Sequence, residues 1–145
     1  SWLLWPGTKN KYTMARTSRA ASIAAGLKRI SLRNSQRDYV GTIDKNDITF
    51  CYGPAGTSKT FTACYTALKM LQEKQIKEII LCKPIQEAGE KLGHLPGGIE
   101  EKVDPYMKSY KSNIEKIIGV ELTKTLFDKK VILYYLDPLV ILDLM

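Results

Sequence analysis

The chain has 145 residues, 44% of them apolar and 26% charged, with a formal net charge of +7; this is the make-up of one globular domain able to bury its own core. No apolar stretch approaches the roughly 20 residues a membrane-crossing helix needs. Three cysteines, Cys51, Cys64 and Cys82, fall in predicted core elements without zinc-ligand or disulfide spacing, so reduced thiols and a cytoplasmic setting are expected.

Residues 1–13, with Trp2, Leu3, Leu4 and Trp5 ahead of Pro6-Gly7, form an unassigned leader, and Met14 is a candidate start. Residues 14–33 read as a basic amino-terminal arm, helical in parts. Between residues 1 and 37 there are basic side chains and no acidic one. Such an asymmetry suits either a solvated tail or contact with a phosphate backbone, and Arg16, Arg19, Lys28, Arg29, Arg33 and Arg37 are the candidates for holding RNA or single-stranded DNA. Residues 34–145 are expected to form the folded domain. It opens with a short helix over Asn34–Ile43, and Ile48–Tyr52 follows as the first strand.

Next comes Gly53-Pro54-Ala55-Gly56-Thr57-Ser58-Lys59-Thr60. A glycine-rich turn from a strand into a helix is a phosphate cradle, because free backbone N–H groups and the positive end of the helix dipole meet there. Lys59, the catalytic candidate, would reach the β/γ-phosphates, and the Thr60 hydroxyl would hold Mg²⁺. The run differs from G-x-x-x-x-G-K-[ST] in having Ser58 at the second glycine, where a positive φ would strain a serine.

Phe61, Cys64, Tyr65, Leu68 and Leu71 recur at helical spacing over Lys59–Lys74, and Ile79–Cys82 is a second strand. Strand, loop, helix and strand make a βαβ unit of a parallel sheet. The Gly/Pro-rich stretch from Lys83 to Gly98 is a loop, with the lone His94 given no ligand role. Asp104-Pro105 opens a helix ending near Gly119, Glu121–Asp128 is a shorter one, and Val131–Leu136 is a third strand. The final Val140-Ile141-Leu142-Asp143 is a weak match to a strand that ends in a Mg²⁺-holding aspartate.

Three blocks together resemble the PhoH family of phosphate-starvation-inducible ATP-binding proteins of bacteria and their phages. They are Gly53–Thr57 with Lys59 and Thr60; Lys83-Pro84 with Glu87–Gly93 and Leu95–Gly97; and Lys102–Tyr106. The resemblance runs from about Ser35 to Leu136 and is closer to phage-type members. It implies an α/β, RecA-like P-loop NTPase core with a mostly parallel sheet, binding ATP with Mg²⁺, suspected to act on RNA and able to form homo-oligomers. By the same resemblance Gln36, with Tyr39, would read the adenine edge, and Lys83, Glu87 and Glu90 would line the neighbouring groove. Beyond Leu136 the family's Asp-Glu motif has no counterpart here, so a carboxyl end that is truncated or altered, an incomplete sheet and feeble ATPase activity are expected. The alternative reading is a nucleic-acid-binding module that uses its basic arm.

Overall fold

The computed structural model describes residues 19–83 and 99–135, with side chains for 19–83 and 107–135. Helix α1 covers residues 19–28. It is followed by α2 (Asn34–Lys45), α3 (Lys59–Gln72), β1 (Ile79–Cys82), α4 (Ile99–Ile118), α5 (Val120–Asp128) and β2 (Ile132–Tyr135).

The two strands pair in parallel, with Ile79 opposite Ile132 and Cys82 opposite Tyr135. A parallel pair cannot be joined by a tight turn, and here α4 and α5 lie in the connection, as in a βαβ crossover. Ile79 donates its N–H to Val131 O at 2.8 Å, which extends the ladder by one bond. The expected mixed helix and strand class with a parallel sheet is what forms.

The core lies where α1, α3 and α4 meet the sheet. Leu68, Ile114, Ile117, Leu126 and Ile132 are at most 1% exposed, and Ile23 and Leu27 of α1 join them. These positions recur three and four residues apart on each helix, which is why one face of each turns inward. The buried threonines of α3 and α5 add no unpaired polarity: Thr66 donates to Thr62 O at 2.8 Å and Thr123 to Gly119 O at 2.6 Å. Lys74 (φ 62°) and Lys130 (φ 56°) turn the chain out of α3 and α5 at positions where glycine is usual.

Three expectations are corrected. Ile48–Tyr52 forms no strand: Ile48, Phe50 and Tyr52 are 75%, 90% and 95% exposed, and Cys51 is exposed with them. An extended segment becomes a strand only by pairing its backbone, and the sheet described contains only β1 and β2. Second, α4 begins at Ile99, ahead of the Asp104-Pro105 pair expected to start it. Third, residues 19–28, within the basic segment 14–33, are not a solvated tail but a helix that places Ile23 and Leu27 in the core. Gly26 is buried where α1 crosses α4, and a Cβ there would run into Ile117 O.

Candidate functional site

The loop that leads into α3 has the backbone features a phosphate needs. Among the described residues no backbone hydrogen bond is made by the N–H groups of Ala55 to Phe61; the first is Thr62 N–H to Ser58 O, at 3.0 Å. These donors sit at the positive end of a helix running from Lys59 to Gln72. Two left-handed residues wind the loop, Gly56 at φ 82° and Ser58 at φ 64°, ψ 29°. The strain foreseen for Ser58 is therefore present.

Lys59 folds back over this loop. Its Nζ donates to Gly53 O at 2.8 Å, Pro54 O at 2.7 Å and Thr57 Oγ1 at 3.3 Å, so each ammonium hydrogen has an acceptor. Thr57 in turn donates to Pro54 O at 2.8 Å. Thr60 differs from the helical threonines behind it. Thr62 and Thr66 spend their hydroxyls on the carbonyl four residues back, whereas Thr60 Oγ1 has no partner among the described residues. Free hydroxyl, lysine and loop amides are together the donor set that suits a Mg²⁺-bound phosphate chain.

A cavity of about 590 Å³ opens over the loop, lined by residues 55–61 together with Gln36, Asn113 and Lys116. Gln36 comes from the first turn of α2, where its Oε1 accepts the Arg33 N–H at 2.8 Å and caps the helix. The Lys69–Asp44 ion pair, at 3.2 Å, ties α2 to α3. Gln36 and the loop, singled out separately in the sequence, thus line one cavity. Asn113 and Lys116 were not singled out; the available signal was their three-residue spacing on α4 beside the core positions Ile114 and Ile117.

The basic candidates divide. Arg29 Nη2 donates to Ile117 O at 3.2 Å, satisfying a carbonyl in the last turn of α4. Lys28, Arg29 and Arg37 line, with Tyr65, a cavity of about 390 Å³, while Arg19 lines another of about 450 Å³ beside Ile23 and Leu71. Arg33 has an exposed side chain. Arg16, Glu87, Glu90, His94 and Asp143 lie outside the described residues, as does the leader. Lys83 is exposed at the end of β1, its N–H donated to Tyr135 O at 3.3 Å.

Burial raises the pKa of several groups near α3 and so suppresses their ionisation. Cys64 is pushed up to about 11 by burial. Tyr39 is raised chiefly by burial, then by neighbouring Cys51, and Tyr110, whose hydroxyl donates to Cys82 O at 3.3 Å, is raised chiefly by burial. Among the described residues no cluster of three or more His, Cys, Asp or Glu side chains is placed to hold a metal. No helix among them is long and apolar enough to cross a membrane.

Residues 29–136 match the family described as PhoH-like protein. A PhoH-like protein of Bacillus subtilis is 43% identical over 97 residues, which are 67% of this chain and 30% of the relative. One from Synechocystis is 39% identical over 119 residues, 82% of this chain and 34% of the relative. Protein PhoH of Escherichia coli is 38% identical over 95 residues, 66% of this chain and 25% of that protein. The chain thus spans about a third or less of the length of these relatives. No solved structure matches it.

Proposed function

This chain belongs to the PhoH-like protein family, and from that premise we propose that it binds a nucleoside triphosphate, ATP with Mg²⁺, on the loop Gly53–Thr60. One observation carries the reading. Unpaired loop amides, Lys59, the free Thr60 hydroxyl and Gln36 all line a single cavity of about 590 Å³, a volume in the range of nucleotide-sized sites.

The amides of Ala55 to Phe61 receive the phosphate oxygens. Lys59 gives up its bonds to Gly53 O and Pro54 O for the stronger charge-assisted bonds a phosphate offers. Thr60 is the ligand from this chain to Mg²⁺, which when bound would neutralise charge between the phosphates. The proposed core is that of a RecA-like P-loop NTPase in the cytoplasm. Hydrolysis, with Lys59 stabilising the transferring phosphoryl group, is proposed as a weak accompaniment to binding; the described lining of the cavity contains no carboxylate to position water.

Calorimetric titration with MgATP tests the reading. Saturable binding by the chain, abolished in Lys59→Ala, is expected. Equal affinity in Lys59→Ala would remove the loop from consideration.

A second reading, binding of RNA or single-stranded DNA, is favoured by the cavity that gathers Lys28, Arg29 and Arg37 beside Tyr65. Cations flanking an aromatic ring suit a single strand. Its test is the salt dependence of oligonucleotide binding. Lys28→Ala with Arg37→Ala should flatten the slope by about 1.4 on a log–log plot, and an unchanged slope argues against it.

A further inference from the structure

We infer that the cavity shared by α1, α2 and α3 is a discrete site for a phosphate monoester, whether that group ends a nucleic-acid strand or sits on a small molecule. The inference goes beyond the strand reading above and does not depend on the phosphate loop. Lys28 reaches the cavity from the end of α1, Arg29 from the link to α2, Arg37 from the opening turn of α2, and Tyr65 lines it from α3.

The donors on this wall are uncommitted. Ile30 packs on the core, which fixes the link between the helices and leaves its neighbour Ser31 exposed. The N–H groups of the lining residues Ser31 and Leu32, the Ser31 hydroxyl, Lys28 Nζ and the Arg37 guanidinium have no hydrogen-bond partner among the described residues. Arg29 is anchored at one corner: its Nη2 donates to Ile117 O at 3.2 Å, so the planar fork is held while its other N–H groups stay available. No carboxylate lines the cavity, and Asp38, the next residue of α2, is not on its wall.

Charge and donor number select the ligand. An internal phosphodiester brings one negative charge, and a strand passing through as successive diesters needs cations spaced along a groove. Here three cations share one hollow of about 390 Å³. A monoester brings roughly 1.5–2 negative charges at neutral pH and three acceptor oxygens, which suits convergent cations joined by amides and a hydroxyl. Tyr65 adds a ring on which an aromatic or nucleoside alcohol can rest.

The experiment is titration of the full chain carrying Lys59→Ala, so that the phosphate loop does not compete. The ligands are one short single strand phosphorylated at its 5′ end, at its 3′ end or at neither, and phenyl phosphate. A phosphorylated strand should bind roughly tenfold tighter than the unphosphorylated one, the worth of a charge-assisted hydrogen bond. That preference should shrink from about pH 7.5 to about pH 5, as the ester's second ionisation, near ~6, is reversed. No histidine or carboxylate lines the cavity, so this change belongs to the ligand. Lys28→Ala with Arg37→Ala, which removes two exposed side chains and no core contact, should abolish the preference.

Phenyl phosphate binding as tightly as the phosphorylated strand assigns the site to small phosphorylated molecules, and a phosphorylated strand binding far tighter assigns it to a strand end; either supports the inference. Phenyl phosphate bound with no strand bound keeps the inference and removes the strand reading. Equal affinities for all three strands, with phenyl phosphate unbound, overturn the inference, and the strand reading then survives if the salt slope still flattens in the double variant. A preference that outlasts the double variant, or persists undiminished at low pH, overturns the inference as well, because the phosphate then sits elsewhere or is not read by its charge.

Discussion

Ser58 holds a left-handed conformation, φ 64° and ψ 29°, at the residue that leads into α3. A Cβ in that region costs on the order of 1–2 kcal/mol. The loop retains it because the Ser58 carbonyl accepts both the Thr62 N–H, at 3.0 Å, and the Thr62 hydroxyl, at 2.8 Å. Ser58→Gly should raise stability by about 0.5–1 kcal/mol, net of glycine's larger entropy loss on folding, and should tighten MgATP binding; denaturant melts and calorimetry would read the two, and a lower melting point would mean the serine is unstrained. Cys64 makes a second prediction at this scale. Its thiol, raised to about 11 from an ordinary 9.0, stays protonated in the folded chain while the unfolded chain ionises. The folded state then binds more protons, so stability falls as pH rises from 9 through 11, by on the order of 2 kcal/mol. Cys64→Ser, whose hydroxyl does not titrate in this range, should flatten that fall in urea melts taken across the window.

Helix α1 meets α4 at a point where only a glycine fits. The Cβ of an alanine at Gly26 would collide with Ile117 O, the same carbonyl that accepts from Arg29 Nη2 at 3.2 Å. Gly26→Ala should therefore push α1 off α4 and cost about 1–3 kcal/mol, the usual penalty of overpacking, despite alanine's better helix propensity. A melting point equal to that of the unaltered chain would show α1 to be dispensable. This contact explains what could be read from the sequence and what could not. Periodicity located α3, α5 and both strands to within a residue or two, because each is amphipathic or apolar over its own length. Residues 19–28 carry Ile23 and Leu27 among alanines and basic groups, too few apolar positions to distinguish a core helix from a tail; the decisive feature is the missing side chain of Gly26. The loop was legible because its chemistry is local, contained in eight consecutive residues. Asn113 and Lys116 reach the same cavity through the packing of α3 on α4, and their spacing on α4 does not by itself say what that face meets.

On the scale of the whole molecule, the segment that delivers the chain to the phosphate loop sets an apolar composition against an exposed environment. Ile48, Phe50 and Tyr52 alternate as in a strand but are largely exposed, while the hydroxyl of Thr49 between them is buried with no partner. An extended run of alternating apolar side chains with an unpaired backbone is a template for another strand. Contiguous exposed apolar surface of this kind favours association. The chain at rising concentration should therefore self-associate through this segment. Phe50→Lys, which puts a charge on the exposed face and removes no buried contact, should shift sedimentation-velocity profiles back towards monomer without lowering the melting point. Because Tyr52 directly precedes Gly53, pairing of this segment would also hold one end of the phosphate loop, so association and MgATP affinity should rise together in the unaltered chain and separate in Phe50→Lys. A chain that sediments as a monomer at every concentration, with Phe50→Lys indistinguishable from it, would show that these side chains are tolerated in water and that the loop is held by α3 alone.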